Sequence, residues 1–197
     1  MITMVKRRIT ILLGVEDKDT TPGRLADAYE RGAKESGHEV RRINIGDLKF
    51  DPLLHKGYKV IQELEPDLKR AQEDIRWCEH LVVVYPNWWS TMPAILKGFF
   101  DRAWLPGFAF HFHKGGGYMW DKLLKGRTAN VIIIMNAAPL VERIFNGDYT
   151  NEIRRGILKF AGFSPVHLTS FGPAEASTLE HKKTWEKKVL NMGRKAV

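Results

Sequence analysis

A three-layer α/β domain built on a five-stranded parallel sheet is the fold this sequence predicts, and three observations predict it. Five short apolar runs alternate with helical patterns along the 197 residues. The first, third and fourth of those runs are almost continuously apolar, as parallel strands buried on both faces must be. Hydrophobic residues at 44% and charged residues at 27% suit a globular domain with one sizeable core. The longest apolar run falls well short of the roughly 20 residues a membrane span needs.

The first strand, Ile9 to Gly14, follows the basic stretch Lys6 to Arg8 and leaves no room for a secretory h-region and cleavage site. The first helix is expected from Pro22 to Ser36, with Thr21 as its cap, Pro22 in its first turn and Gly37 past its end. The second strand is Val40 to Ile45. The second helix, Pro66 to Cys78, sets Leu68, Ala71, Ile75 and Cys78 on one stripe. A third strand, Leu81 to Tyr85, stops at Pro86, and Pro93 opens a helix that runs to Trp104. Ala129 to Met135 and Pro165 to Phe171 complete the strands; Asn151 to Ala161 and Thr178 to Met192 complete the helices. Two connections, Gly46 to Glu65 and Pro106 to Lys125, have the length of functional or interface-forming segments.

Charge and cysteine usage narrow the function. The net charge of +8 admits nucleic acid, an anionic membrane or an anionic cofactor as a partner. Its richest stretch, His181 to Lys188, reads as the solvated face of a helix, and no nucleic-acid reader motif accompanies it, so nucleic acid is not expected. The single Cys78 excludes an intrachain disulfide framework and a multi-cysteine metal site, and makes the cytoplasm the expected compartment. His111 and His113 stand two apart with no third ligand in view, so no metal is expected. Gly115 to Gly117 reads as a flexible turn. His80, Asp101 and Cys78 make no nucleophilic triad.

In a doubly wound sheet the ligand lies outside the carboxyl ends of the strands, where strand order reverses. Three loops meet there: Val15 to Thr21, Pro86 to Met92 and Asn136 to Gly147. The first leads into a helix N-terminus that favours a phosphate, with Thr20 and Thr21 as hydroxyl donors and Lys18 as a positive charge. Glu16, Asp17 and Asp19 would repel that anion unless they turn outward. The second carries Trp88 and Trp89, two large aromatics that need a ligand or a partner surface to cover them. Backbone donors after Pro86 and a Trp ring suit a flat amphipathic ring, an isoalloxazine or a nucleobase alike.

These residues carry a resemblance. Pro86, Trp89, the run Pro93 to Gly98, Asp101-Arg102 and the run Gly107 to Phe110 resemble the signature of the flavodoxin-like NAD(P)H:quinone reductases, the DT-diaphorase-like family. Phe50 to Leu54, Gly156 to Phe163 and Phe171-Gly172 extend the likeness over nearly the whole chain. The resemblance implies a single flavodoxin-like domain over residues 1–197, a three-layer sandwich with strand order 2-1-3-4-5. It implies FMN at the strand ends, with FAD as the alternative, NAD(P)H as electron donor, and two-electron ping-pong transfer to a quinone or similar flat acceptor. The protein supplies position and electrostatics to such a cofactor. FMN is preferred because the first loop lacks the aromatic and Asn that follow the phosphate-binding Ser in FAD-using members.

Carried over by position, Pro86, Asn87, Trp88, Trp89 and Ser90 contact the ring, and Asn136, Ala137, Ala138 and Pro139 form the third flavin loop. Phe110 and Phe112 match aromatics that line the substrate pocket across a homodimer interface. Two departures stand out. The family places Gly-Gly where this chain has Ala137-Ala138, which disfavours positive φ. It also places a Tyr and a His after that loop to steady charge on the reduced ring; neither is present, Asn146 falls near the His position, and Arg143 or backbone donors are the expected substitutes. An ancillary regulatory subunit of a membrane potassium-efflux system, and hence a membrane partner, shares the motif. A flavodoxin-type one-electron carrier shares the fold, but the positive charge and the aromatic substrate wall weigh against it.

Overall fold

The computed structural model describes residues 5–113 and 119–197. Its sheet holds five parallel strands: β1 (Arg8–Leu13), β2 (Glu39–Asn44), β3 (His80–Pro86), β6 (Thr128–Ile134) and β7 (Val166–Phe171). They lie in the order β2-β1-β3-β6-β7, the expected 2-1-3-4-5 when only the sheet strands are counted. The order reverses between β1 and β3, which run in parallel register with Leu13 opposite Val84. The two remaining strands, β4 (Phe110–Phe112) and β5 (Trp120–Lys122), form a separate antiparallel hairpin inside the long connection after the third helix. That hairpin was not expected. Gly115 to Gly117 lie outside the described residues.

Strand alternation divides the core in two, because successive side chains of a strand point to opposite faces. Ile9, Ile11 and Leu13 of β1 join Val82, Val84, Ile132 and Ile134 beneath α1 (Thr21–Glu35) and α5 (Leu179–Lys195). Leu12, Leu81, Val83, Tyr85, Val131 and Ile133 face α2 (Pro66–Trp77), α3 (Ala94–Ala103) and the segment Glu152–Lys159. That last segment lies within the expected fourth helix but is wound as a π-helix. The edge strand β2 carries Glu39, Arg41 and Arg42, charges that blunt an exposed strand edge.

α1 begins as its sequence requires. Thr20, one residue before the expected cap, has extended backbone and its Oγ1 accepts from the Gly23 amide at 3.4 Å, while Gly37 follows the helix end at φ +81°. α1 and α5 cross with no room for side chains. A Cβ on Gly32 would stand 2.0 Å from the Leu190 carbonyl oxygen, and one on Gly193 2.1 Å from that of Tyr29. This crossing locks the carboxyl half of α1 against the end of α5. Among the described residues no helix is long and apolar enough to cross a membrane.

Candidate functional site

The three loops converge at the carboxyl ends of β1, β3 and β6, where two adjoining cavities open. One, of about 240 Å³, is lined by Thr21, Pro22, Pro86, Asn87, Trp88, Asn136 and Glu175 among others. The other, of about 430 Å³, is lined by Asn87, Trp89, Ser90, Met135, Asn136, Ala137, Glu142 and Asn146. Asn87, Met135 and Asn136 border both, so the two form one shelf running from the α1 N-terminus past the tryptophan loop.

At the α1 end, Thr21 lines the shelf and Thr20 serves as the cap, its hydroxyl donating to the Asp17 carbonyl at 2.9 Å. Asp17 in turn accepts from the Asp19 amide at 2.8 Å, and Glu16 to Asp19 are all exposed. The acids do turn outward. Lys18 is exposed with them and lines neither cavity. Its carbonyl closes on the helix start, since a Cβ on Gly23 would stand 1.7 Å from it. The first turn of α1 carries no acid to oppose a phosphate.

The tryptophan loop is a tight hairpin. The Trp88 and Thr91 backbones exchange hydrogen bonds of 2.9 and 3.1 Å, and the two residues between, Trp89 and Ser90, have φ of +53° and +61°. Positive φ at both central positions is the signature of a two-residue hairpin turn, usually filled by Asn or Gly. For a residue as bulky as Trp it is a genuine outlier, costing about 1–3 kcal/mol and persisting only where the surroundings over-determine it. The strained residue is 98% exposed and Trp88 47% exposed, so neither ring is a core plug.

What over-determines the turn is a carboxylate. Glu142 accepts from the Ser90 hydroxyl at 2.7 Å and the Asn87 side-chain amide at 3.0 Å on one oxygen, and from the Asn146 amide at 3.1 Å on the other. It is only 8% exposed. Hydrogen bonds from Ser90, Asn146 and Asn87 hold its carboxyl below the usual range, against the desolvation that raises it. Thr91 Oγ1 donates to Glu152 and anchors the far side of the turn. Glu142 belongs to α4 (Pro139–Asn146), a helix standing where the sequence predicts only loop. Pro139 at its first position and an acid in its first turn were the available signal. Ala138 caps this helix with φ −63° and Ala137 has no positive φ, so the Ala-Ala segment follows a path suited to alanine. Arg143, the expected cationic substitute, is exposed and lines neither cavity; the charged α4 side chain in the wall is negative.

Phe110 and Phe112 stand elsewhere in the same chain. With Tyr58, Phe100, Trp104 and Phe160 they line an apolar groove of about 630 Å³ between α3 and the π-helical segment. Phe110 packs edge-on to Phe160 at 5.1 Å, and Trp120 stacks on Phe160 at 4.5 Å. Burial pushes the Cys78 thiol up to about 11, which suits a core residue rather than a nucleophile.

The donor set can be tested against a flavin. Because ionised Glu142 only accepts hydrogen bonds, Asn87 must offer it the amide nitrogen, and its carbonyl oxygen is left buried without a partner. A buried orphan acceptor on the shelf fits a ring N–H. The acid-free helix start fits a phosphate, and the exposed tryptophans fit a flat ring in need of cover. These residues fit the group. Among the described residues, no set of three or more His, Cys, Asp or Glu is placed to hold a metal.

Comparison with known proteins agrees with the fold. The family model described as flavodoxin-like fold matches residues 7–189. The human ribosyldihydronicotinamide dehydrogenase (quinone) is 31% identical over 134 residues, covering 65% of this chain and 56% of its own. The chain spans little more than half the length of such curated relatives. Among solved structures, Smu.1420 from Streptococcus mutans superposes with a TM-score of 0.79 at 26% identity, covering 94% of this chain and 98% of that one. An FMN-dependent NADH-azoreductase from Bacillus anthracis, solved with FMN, gives a TM-score of 0.70 at 16% identity over 94% of this chain and 97% of its own, a likeness of fold.

Proposed function

The chain belongs to the flavodoxin-like fold family, and on that footing we propose that it is a flavin-dependent oxidoreductase passing two electrons from NAD(P)H to a quinone or similar flat acceptor. The observation that carries this reading is the shelf at the strand ends, walled by all three loops and overhung by Trp88 and Trp89. Bound there, FMN would supply the two-electron chemistry.

The residues have distinct parts in this reading. The α1 N-terminus and Thr21 take the phosphate, and Lys18 adds only a distant charge. Asn87 offers its orphan carbonyl oxygen to a ring N–H. Trp88 and Trp89 cover the ring and shed water from it. Asn136, Ala137 and the backbone entering Ala138 and Pro139 close the third side. Donor and acceptor are both flat rings that need the same open face, so they occupy it in turn, which is a ping-pong route. Phe110 and Phe112 lie in the aromatic groove and reach the shelf of a second copy, making the working unit a homodimer in the cytoplasm.

The test is direct. Purified protein should show the visible spectrum of a bound flavin, extract as FMN by mass, and oxidise about one equivalent of NAD(P)H by itself, with sustained turnover only when a quinone is present. Protein that stays colourless and takes up neither FMN nor FAD in equilibrium dialysis would overturn the reading.

A further inference from the structure

Two carboxylates stand in the walls of the shelf, and they differ: Glu175 is exposed, while Glu142 is covered by its neighbours. A side chain needed only to fasten Ser90 and Asn87 could be a neutral glutamine, whose one oxygen accepts from both, or could sit beside a cation. Instead a carboxylate is buried there at 8% exposure. Its neighbours are three neutral donors, and among the described residues no charged partner acts on it. The adjacent cation, Arg143, is turned to solvent. Burying a charge without a counter-ion is costly, and three hydrogen bonds plus the α4 N-terminal turn only offset it. What remains is a fixed negative charge in the wall of the shelf, which a ring seated there would shield from water.

We propose that Glu142 makes the shelf discriminate by charge, holding a ring in its neutral oxidised form more tightly than the same ring after it has gained electrons. The proposal rests on the flavin reading above. Taking up two electrons and one proton leaves the ring one unit more negative than before, and the carboxylate repels that added charge. By linkage, a site that prefers the oxidised ligand lowers its reduction potential. Glu142 thus suits the bound ring to giving electrons up and directs the protein toward acceptors that are hard to reduce. Its position opposes the role expected of Arg143.

The experiment compares the dissociation constants of oxidised and of dithionite-reduced FMN at pH 8, under argon, for the wild type and for E142Q. Gln keeps the shape and still accepts from Ser90 and Asn87. E142Q should shift the ratio of the two constants in favour of reduced FMN by roughly tenfold, which for a two-electron couple is about 30 mV upward. R143Q, which removes an exposed charge one residue away, should leave the ratio unchanged. Should E142Q not accumulate as folded protein, N146A serves in its place. Asn146 is exposed, and losing its donor leaves the carboxylate charge less offset, which moves the ratio the opposite way. A ratio that stays within twofold in E142Q, or an equal shift in R143Q, overturns this proposal while leaving the flavin reading standing. A wild type that binds no flavin overturns both.

Discussion

Arg102 Nη2 lies 2.9 Å from Glu65 Oε2, and this pair fastens the long connection before α2 to the helix behind the tryptophan loop. Arg102 is 1% exposed and also donates to the carbonyls of Asp51 and Glu63. One guanidinium therefore holds three points of a segment that otherwise has only two short 3₁₀ turns. Arg102→Met should destabilise the protein by about 3–5 kcal/mol, the range for breaking a buried pair and stranding its partners. Arg102→Lys should recover only part of that, because an ammonium cannot serve all three acceptors at once. Urea melts of the three proteins decide it; a loss under 1 kcal/mol in the Met variant would show that the clamp is idle.

The α1–α5 crossing makes a second prediction. Gly32→Ala puts a methyl where the Leu190 carbonyl already stands at 2.0 Å. The helices must part, at a cost of about 1–3 kcal/mol. Thermal unfolding should show a lowered midpoint, and a variant as stable as the parent would mean that the crossing yields freely.

A third concerns pH. His80 is buried at the amino end of β3, with Nδ1 2.6 Å from Thr128 Oγ1 and Nε2 without a partner. Burial pushes its pKa down to about 3, with Arg7, His167 and His38 adding like charge. Its folded pKa lies below the unfolded value near 6.5, so the unfolded chain binds the proton first. The stability is fully present above that value and drains away as pH falls toward 3. At pH 4.5 the loss attributable to His80 should be about 2–3 kcal/mol. Comparing the stability of wild type and His80→Gln between pH 7 and 4.5 isolates it from the carboxylates; parallel curves would count against it.

The tryptophan turn supplies the last. Trp89 holds φ +53° and is 98% exposed. Trp89→Ala should leave the apoprotein nearly as stable as before while weakening FMN binding, since an aromatic contact contributes about 0.5–1.5 kcal/mol beyond its area. Trp89→Gly should be more stable than Trp89→Ala by about 1 kcal/mol, because glycine accepts positive φ without strain. Denaturant melts paired with flavin titrations check both. An apoprotein that collapses in either variant, with flavin affinity unchanged, would reassign this loop to structure.

Much of this was legible because burial and periodicity write themselves locally. β1, β3 and β6 are nearly continuous apolar runs, and α1 announces its proline and its terminal glycine, with its cap at Thr20, one residue before the expected Thr21. The three loops followed from topology alone. What escaped was written in non-local terms. α4 is eight residues long; Leu140, Val141, Ile144 and Phe145 do form a stripe at helical spacing, but it is short and faces outward while Glu142 faces inward, the reverse of an ordinary surface helix. Glu142 matters only because Ser90 and Asn87 arrive from another loop, and the β4–β5 hairpin is made by cross-strand pairing of three residues a side. The positive φ of Trp89 is invisible in a residue type that seldom adopts it.

That turn has an optical consequence. Of the six tryptophans, Trp104 and Trp185 are buried, and Trp89 stands almost wholly in water beside a half-exposed Trp88. The reddest part of the intrinsic emission therefore comes from the rim of the shelf, while the blue part comes from the two sides of the sheet. Filling the shelf should quench or blue-shift the first and spare the second, whereas unfolding should redden the second. Site occupancy and integrity of the fold can thus be read separately, in one spectrum and without a label.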